Sequence, residues 1–551
     1  MRARWQWSIP AATIFCLLIP VLFTDGTFAS DWGNHLWLIY MQGLNVDSLQ
    51  GPSIYLQSSL GAFYPYYAFY GGSFYAVSGF VADLFGTDAA MVFAYGGAIA
   101  ANYLGWTWMA RQAGVSGWRS QLPGLIAVTA PLAVTNLYGR GGIPEVVGTS
   151  MLALVAAAGI SLVREPRLRL RDAAAFVAGL VFLTGSHALS MAWGVFFLGL
   201  LAVVLIACYW PFVKERAMRL LALAWLGVLA ACVNAWMLGP TILFHSRTME
   251  SEPDALSQSQ FTEPENLFRI LRDTPDLDPV IRGDLNTALP VLALLWALFA
   301  GVACWRLIGP RSRALALGLT AVLAALVALV LEPSLIGDLP EVLRYIQFPY
   351  RLLTYADFCV VGMVTLVLAG LERQRSSPAA VAAVAALAAI GLFNLGISVG
   401  QNSEVRSWLG SRDDVTASEF QPPGTWYAFL QFGNGEAAVE PTLPEPLTVP
   451  VEEGIRDSYR VEYPPGPAGT AATNIATGSY LVDVAGAEPV GSDGEGRMVV
   501  RLPASPQRPR VVTVSAESGP AAVVSGWISV AALVFCLGGV AAVVIRRRRL
   551  S

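Results

Sequence analysis

Long apolar runs constrain this chain more than any other feature. A membrane-spanning helix needs about 20 apolar residues, and fewer where helices pair inside a bundle. The chain is 55% hydrophobic and 13% charged, which excludes an ordinary soluble protein. The twelve runs lie near residues 8–24, 89–109, 121–137, 144–163, 172–186, 190–210, 220–243, 286–308, 314–332, 350–371, 377–398 and 523–545. We therefore predict an all-α polytopic membrane protein with about twelve transmembrane helices.

The positive charge between the runs tests this count, because Lys and Arg concentrate in cytoplasmic loops. The basic clusters are Arg2 and Arg4, Arg111 and Arg119, Arg164 to Arg171, Lys214 to Arg219, Arg311 and Arg313, Arg373 and Arg375, and Arg546 to Arg549. Twelve spans put every cluster on one side, with both termini cytoplasmic. Arginine supplies nearly all the positive charge, as in GC-rich bacteria. We expect a multi-pass protein of the bacterial cytoplasmic membrane.

The chain divides into three regions by composition. We predict a transmembrane domain over 1–398, a β-rich extracytoplasmic domain over 399–520, and a last helix with a basic cytoplasmic tail over 521–551. A large first outer loop spans 25–88. Within it, residues 61–85 are apolar and aromatic, and they indicate an interfacial or re-entrant element rather than a thirteenth span, which would invert every later loop.

Within the β-rich domain, alternating residues predict strands at Ser479 to Val484, Arg497 to Leu502 and Arg510 to Ser515. The six cysteines all fall inside apolar runs, where they behave as small hydrophobic residues. No Cys-x-x-Cys or Cys/His spacing occurs, so we expect neither a zinc site nor a structural disulfide.

Asp31 and His35 open the first outer loop, in the sequence Ser30-Asp31-Trp32-Gly33-Asn34-His35. The chain has three histidines, and the other two, His187 and His245, also map to the outer side. If this run begins a helix, Asp31 and His35 share a face, because they are four residues apart. We predict that Asp31 is a general base facing a groove at the outer membrane surface.

Further polar residues lie at the outer ends of apolar runs. A charge at a helix mouth costs several kcal/mol if it is unpaired and dry, so such charges usually face a cavity or a partner. With Asp31 as the predicted base, the candidate substrate-binding residues are His35, Arg140, Glu145, His187, Arg344, Gln347 and Arg351.

Structural explanations compete with these assignments. Taken alone, Asp31 fits a helix N-cap as well as it fits a catalytic base. Arg140 and Glu145 have the alternative role of an interfacial ion pair. Arg344 and Arg351 are as well explained as side chains that reach the lipid headgroups.

The remaining polar candidates also have structural explanations. His187 could satisfy backbone carbonyls, and a loop position is favoured for His245. For Gln347 with Pro349, the alternative role is to break the helix before the span at 350–371. The aromatic run from Tyr64 to Tyr75 is more typical of a membrane-interface belt than of a sugar platform.

Taken together, the outer residues favour group transfer from a lipid phosphate. A carboxylate would take a proton from an acceptor hydroxyl as that hydroxyl attacks, and arginines would stabilise the phosphate leaving group. Arginine suits phosphate because its guanidinium offers paired donors.

Five stretches resemble a known family when taken in order. They are Asp31-Trp32-Gly33-Asn34-His35, Tyr64-Pro65-Tyr66-Tyr67, Arg140-Gly141-Gly142-Ile143-Pro144-Glu145, Ile346-Gln347-Phe348-Pro349-Tyr350-Arg351, and the β-rich tail leading into Gly526-Trp527-Ile528-Ser529-Val530. The chain is similar to the GT-C superfamily of membrane glycosyltransferases, and within it to YfhO-like and 6-pyruvoyl-tetrahydropterin-synthase-related bacterial membrane proteins.

The resemblance implies an inverting transfer from a polyprenyl-phosphate-linked sugar donor to an envelope glycan, lipid or protein acceptor, with Asp31 as the base. Many members pair two acids in the first loop. Here Asp47 is available but no motif marks it, and His35 is the nearest partner of Asp31. We therefore predict no metal and no other cofactor, although a divalent ion stays open. No nucleic-acid partner is expected.

Two other functions stay open. A transporter or flippase for a lipid-linked precursor is disfavoured because no pair of Gly/Pro-broken spans occurs in matching halves of the chain, and because charges near the middle of the bilayer are missing. Asn234 is the best polar candidate within a span, and bridging helices is its alternative role. A non-catalytic envelope assembly factor would use the β-rich domain to bind glycan or protein. Release of free polyprenyl phosphate distinguishes transfer from transport.

Overall fold

The computed structural model describes most of the chain. The described residues are 2–23, 31–47, 52–54, 56–57, 63–64, 66–165, 167–244, 264–270, 287–344, 346, 348–402, 439–442, 447–449, 458–476, 482–493, 497–516 and 519–550. This part of the chain is mostly helical, with a small β region near the C-terminus. The predictions for His245 and Gln347 lie outside it.

The described residues up to residue 214 contain ten helices. They are α1 Arg2–Phe23, α2 Trp32–Asp47, α3 Tyr66–Phe69, α4 Gly72–Phe85, α5 Thr87–Gln112, α6 Leu122–Val128, α7 Pro131–Val134, α8 Ile143–Arg164, α9 Leu170–Gly185 and α10 Ala188–Lys214. A 3₁₀ turn, Gly117–Gln121, precedes α6, and a π turn, Thr135–Gly139, follows α7.

The chain after residue 214 continues this pattern over the residues that the structure describes. Its helices are α11 Ala217–Val233, α12 Ala235–Phe244, α13 Pro264–Leu267, α14 Val291–Ala303, α15 Pro310–Leu331, α16 Glu341–Arg344, α17 Leu353–Leu371, α18 Pro378–Asn402 and α19 Gly519–Leu550. Short 3₁₀ segments occur at Pro333–Asp338, Pro349–Leu352 and Glu372–Gln374.

Several of these helices are long and apolar enough to cross a membrane. Within the described ranges there are six, or eight if each of two bent pairs counts as one span. The six are α8, α10, α15, α17 with its flanking 3₁₀ turns, α18 and α19. The other predicted runs also coincide with helices, α1, α5, α9 and α14, but these do not reach the same length and hydropathy. These six to eight candidate spans support a polytopic membrane protein.

Two predicted spans, 121–137 and 220–243, were expected to be continuous, and the structure shows each of them bent. The first bends by 59° before α7, because Pro131 lacks an N–H and disfavours helical geometry at the residue before it. The second bends by 71° at Asn234. The structure thus adds two bent spans that the sequence did not indicate, the first at a proline and the second at an asparagine.

The Asn234 side chain compensates for the second bend. Its Oδ1 accepts a hydrogen bond from Ser73 at 2.6 Å, and its Nδ2 donates to the Val181 carbonyl and to Thr184, both at 2.8 Å. Ser529 of α19 donates to the Cys232 carbonyl at 3.0 Å. The polar groups at the bend therefore have partners inside the protein, and Asn234 bridges helices as the sequence suggested.

The aromatic segment of residues 61–85 folds into α3 and α4 over its described residues. Tyr66, Tyr67 and Tyr75 are at most 2% exposed, so the interpretation as a membrane-interface belt is wrong for these three tyrosines. The opposite side of α4 exposes Phe80 and Leu84. Apolar side chains four residues apart on a helix form one face, which suits an element lying against lipid.

The β region consists of short antiparallel strands. Beside a two-stranded pair, β1 Leu56–Gln57 and β2 Phe63–Tyr64, the strands are β3 Leu447–Val449, β4 Ser458–Tyr463, β5 Gly469–Ala476, β6 Val482–Ala485, β7 Glu488–Ser492, β8 Arg497–Leu502 and β9 Arg510–Ala516. They form sheets of order β3-β4-β9-β6 and β5-β8-β7. The predicted strand Arg497 to Leu502 coincides with β8, and Arg510 to Ser515 falls within β9.

A separate small core holds this β region together. Val461 on β4 and Val512 on β9 are opposite each other in register, and both are buried. Val500 and Leu502 on β8 are also buried in this core. Ile54, which lies between α2 and α3, packs against this core. The β region therefore contacts the segment that connects α2 and α3.

Candidate functional site

Asp31 and Arg140 meet where the start of α2 packs against the turn after α7. Asp31 is the residue directly before α2, and its carbonyl accepts the His35 N–H at 3.1 Å. Its own N–H donates to the Arg140 carbonyl at 2.9 Å. The Arg140 Nε lies 3.3 Å from the Asp31 Oδ2. Asp31 therefore occupies an N-cap position and also contributes a carboxylate to an ion pair.

The turn that carries Arg140 is fixed by its neighbours. Tyr95 donates a hydrogen bond to the Leu137 carbonyl at 2.7 Å, and Tyr138 donates to the Leu17 carbonyl of α1. Gly141 follows with φ +72°, and a Cβ there would lie 2.6 Å from the Trp32 Cβ. Only glycine allows this close approach, because a side chain would strain the backbone and collide with α2.

Glu145, in the first turn of α8, lies between two arginines. Its Oε2 lies 2.5 Å from the Arg140 Nη1 and 3.5 Å from the Arg351 Nε. All three side chains are at most 8% exposed, whereas the Asp31 side chain is 30% exposed. We call Asp31, Arg140, Glu145 and Arg351 the ionic cluster. It presents one carboxylate at its surface and buries the rest.

Burial works against the charge of Arg140, because it removes the guanidinium from water. The nearby carboxylates outweigh that effect, Glu145 most strongly, and the pKa of Arg140 is raised well above its usual value. A buried ion pair is costly to break, because the partner left behind is an unpaired charge. The ionic cluster is therefore a rigid unit that holds Asp31 in place.

His35 lies beside Asp31 on the first turn of α2, as its spacing predicted. Its Nδ1 is 2.6 Å from the Tyr75 hydroxyl, and its ring stacks on Tyr70 with 5.8 Å between centroids. Burial lowers the pKa of His35 to about 4. The imidazole is therefore neutral at physiological pH, and hydrogen bonding by Nδ1 sets its tautomer.

His187, directly before α10, also contacts Tyr70. The two rings meet edge to face at 5.0 Å. Burial lowers the pKa of His187 to about 3, so this imidazole is also neutral. Glu145, Arg351 and Arg140 follow burial among the causes of that shift, which indicates that His187 lies close to the ionic cluster.

Six of the eight predicted residues are thus brought together by contacts or by close electrostatic interaction, although they come from distant parts of the chain. Arg344, at the end of α16, is partly buried, and its Nε has no hydrogen-bond partner among the described residues. No described contact joins Arg344 to the ionic cluster. Gln347 lies outside the residues that the structure describes.

Comparison with known proteins was made for the whole chain. No family model, curated protein or solved structure matches it. The function must therefore be argued from the cluster itself.

Sequence reasoning missed several buried residues. Tyr70 contacts both histidines and Tyr75 contacts His35, but both tyrosines belong to an aromatic run that had been assigned to the membrane interface. Asp357 in α17 is 8% exposed, and its Oδ1 has no hydrogen-bond partner among the described residues. Because acidic residues are rare inside membrane spans, the position of Asp357 within the predicted span 350–371 could have identified it from the sequence.

The carboxylates and imidazoles at the cluster are residue types that can bind a metal ion. Within the described residues, no group of three or more His, Cys, Asp or Glu side chains is arranged to hold a metal ion. The carboxylates of Asp31 and Glu145 are instead directed at arginines. The cluster can position a partly exposed carboxylate, offer neutral imidazoles and maintain buried positive charge.

Proposed function

We propose that this chain is an integral-membrane glycosyltransferase of the GT-C type, transferring a sugar from a polyprenyl-phosphate donor to an envelope acceptor. The observation that carries the proposal is the partly exposed carboxylate of Asp31, held at 3.3 Å by Arg140 of an otherwise buried ionic cluster. An exposed carboxylate fixed in orientation is what a general base requires. The two neutral histidines beside it suit substrate contacts.

The proposed reaction is a single displacement. The acceptor hydroxyl gives its proton to Asp31 while its oxygen forms a bond to the anomeric carbon of the sugar. The bond from that carbon to the phosphate oxygen breaks, and the electron pair leaves with polyprenyl phosphate. Attack opposite the leaving group inverts the anomeric configuration. Arg344 and Arg351 are assigned to the donor phosphate, and His35, Arg140, Glu145, His187 and Gln347 to orientation of the substrate.

The phosphate assignment is supported by differences among the arginines. Arg140 is held by Glu145 at 2.5 Å, whereas the Arg351 Nε is 3.5 Å from the same oxygen. The Arg344 Nε has no hydrogen-bond partner among the described residues. A phosphate oxygen binds guanidinium groups more readily when they are not already fully paired.

The proposed topology has twelve spans, with both termini in the cytoplasm and the site on the outer face of a bacterial cytoplasmic membrane. The side preference of the arginine clusters supports it. The domain over 399–520 would then be extracytoplasmic. Its β strands and the ionic cluster would lie on the same side of the membrane.

The test uses membranes from a strain that lacks the chain, supplied with the full-length protein. Release of free polyprenyl phosphate from lipid-linked sugar is measured by mass spectrometry. Asp31→Asn should abolish release while leaving folding and donor binding intact. Asp83→Asn, an exposed acid of α4, is the matched control and should keep full activity. Full release by Asp31→Asn refutes the assignment.

A second candidate is a transporter of a lipid-linked precursor. The two bent helix pairs, at 59° and 71°, favour it, since discontinuous helices form the binding sites of many transporters. The same membranes distinguish the two functions. Uptake of the lipid-linked sugar into sealed vesicles without release of polyprenyl phosphate supports transport, and release supports transfer.

A further inference from the structure

A cavity of about 550 Å³ opens between the start of α9 and the C-terminal part of α19. Its lining residues are Arg169, Leu170, Arg171, Ala174 and Val540. This volume lies within the range of about 300–1,000 Å³ that is typical of small-molecule sites. The lining combines two cationic side chains with three apolar ones, so the cavity suits a molecule that is anionic at one end and apolar at the other.

The apolar part of the lining continues onto lipid-accessible surface. Ala174 follows Leu170 by one turn, on the same face of α9, and it is exposed. On α19, Val540 is 39% exposed, and Leu537, one turn before it, is 65% exposed. Apolar surface therefore extends from the cavity along α19, away from the basic end of that helix.

The two arginines of the cavity keep donors for a further anion. The Arg169 Nη2 lies 2.7 Å from the Glu165 Oε2, and the Arg171 Nε lies 2.9 Å from the Asp172 Oδ1. A guanidinium has five N–H donors, so one carboxylate contact leaves others. The arginine side chains are 46% and 71% exposed, and both can bind a phosphate oxygen as well.

The start of α9 is fixed to its neighbours. Asp172 is fully buried, and its Oδ2 accepts a hydrogen bond from Ser161 of α8 at 2.6 Å. Just before the connection between α8 and α9, the Val163 carbonyl accepts a hydrogen bond from Arg216 at 2.9 Å. Since Asp172 is already engaged by Ser161 and Arg171, its charge is largely compensated within the protein.

Positive charge is in excess around the cavity. Residues 164–172 include four arginines and two acids. Arg546 to Arg549 follow Val540 by six to nine residues on the same helix, which is about 9–14 Å along its axis. Clusters of basic residues beside a membrane-spanning helix attract anionic lipids. The charge of this surface is therefore complementary to an anionic headgroup.

The cavity is distant from the ionic cluster. Ser161, the partner of Asp172, follows Glu145 by 16 residues on α8, which is about 24 Å along the helix axis. That distance approaches the thickness of the hydrocarbon core, about 30 Å. In the proposed topology, the ionic cluster faces outward and the cavity lies at the cytoplasmic leaflet.

From these observations we infer that the cavity binds an anionic phospholipid of the cytoplasmic leaflet. The phosphate contacts Arg169 and Arg171, and an acyl chain lies against Ala174 and Val540. A zwitterionic headgroup carries an ammonium group that the arginines repel, so the site selects lipids of net negative charge. The bound lipid bridges α9 and α19. This site does not depend on the proposed transferase activity.

The experiment measures lipid binding by native mass spectrometry of the purified full-length chain in neutral detergent. The probes are phosphatidylglycerol and phosphatidylcholine with identical acyl chains. Phosphatidylglycerol should bind about 10- to 30-fold more tightly, as expected for two arginines near a membrane surface. Equal affinity for the two lipids overturns the inference. Soluble glycerol phosphate should not displace phosphatidylglycerol, and displacement at equal concentration overturns the assignment to a lipid.

A charge variant tests whether the preference belongs to this cavity. Arg169→Gln combined with Arg171→Gln should reduce the preference for phosphatidylglycerol to less than about threefold. Arg306→Gln combined with Arg375→Gln removes the same charge from exposed arginines on the same predicted side, and it should keep the preference. Equal loss in both double variants would indicate general attraction to a basic surface, and an unchanged preference in the first would place the lipid elsewhere. Either result overturns the inference.

A second variant fills the cavity without changing charge. Ala174→Trp should weaken phosphatidylglycerol binding about tenfold or more, the value of roughly two buried methylene groups. Ala325→Trp, at an exposed position of α15, is the matched control and should bind as wild type. This pair keeps the contact between Arg171 and Asp172, so it tests the site even if the arginine variant does not fold. Wild-type binding by Ala174→Trp overturns the inference.

Discussion

Asp31 and Arg140 are joined twice, by a backbone hydrogen bond of 2.9 Å and by an ion pair of 3.3 Å. The backbone contact fixes where α2 begins relative to the turn after α7, and the ion pair fixes the direction of the carboxylate. Since Arg140 also holds Glu145, the exposed acid is connected to the buried part of the cluster.

Glu145→Gln should destabilise the fold strongly. The substitution removes the one carboxylate that contacts both buried arginines and leaves their charges only partly compensated. Breaking a buried pair in this way costs about 3–5 kcal/mol, measured as the free energy of unfolding in mild detergent. Glu165→Gln, which breaks an exposed pair with Arg169, should cost less than about 1 kcal/mol. Similar losses in the two variants would contradict the prediction.

Gly141→Ala should separate α2 from the Arg140 turn. Its φ of +72° is unfavourable for alanine, and its Cβ would meet Trp32 at 2.6 Å. Gly117→Ala is the control, because Gly117 has φ +61° but nothing within 4 Å. The free energy of unfolding of the control should fall by about 1–2 kcal/mol, the cost of positive φ for alanine. It should fall further in Gly141→Ala, because the collision with Trp32 adds to that cost.

Activity gives a second measurement of the same pair of variants. Gly141→Ala should reduce release of polyprenyl phosphate in parallel with Asp31→Asn, whereas Gly117→Ala should retain it. An active Gly141→Ala variant with unchanged stability would show that the close approach to Trp32 is unimportant.

Stability should fall as the pH drops below about 6.5. Burial lowers the pKa of His187 from 6.5 to about 3, so between these values the unfolded chain binds more protons than the folded one. The contribution of the neutral imidazole is present above pH 6.5 and is lost toward the folded pKa, with a slope of up to about 1.4 kcal/mol per pH unit.

His187→Gln removes the part of this dependence that comes from His187 and should reduce the slope of unfolding free energy against pH. The part that comes from His35, whose pKa burial lowers to about 4, remains. Tyr70→Phe keeps both imidazoles and should retain the slope. The difference between wild type and His187→Gln isolates the contribution of His187. Parallel curves for wild type and His187→Gln would be the contrary result.

Ile54→Ala should loosen the β region. Ile54 packs against the core of that region, while its carbonyl accepts the Tyr67 N–H at 3.2 Å. Loss of a partly buried isoleucine costs on the order of 1–2 kcal/mol, and hydrogen exchange in β4 and β9 should speed up accordingly. Ile242→Ala, at a 78% exposed position, should change nothing. Equal exchange in both variants would mean that the contact carries no stability.

Much of the local structure followed from local signals. The apolar run 144–163 is the helix Ile143–Arg164, and the alternating run at Arg497 is β8 with the predicted bounds. The bends were missed because hydropathy averages over a span and does not register a break such as that at Asn234. Tyr66 and Tyr75 were misjudged because an aromatic side chain is equally compatible with lipid and with a protein core.

The sequence by itself determined that the chain belongs in a membrane and that most ionisable residues of its apolar region collect at the ends of the runs, since the hydration cost disfavours charge within a span. Asp357 is an exception. Only the tertiary structure decided that Glu145 lies between Arg140 and Arg351, and that Asp31 keeps the exposed position. Spacing along the chain carries no information about such contacts. They depend on which helix ends pack together, and that packing is a property of the whole fold.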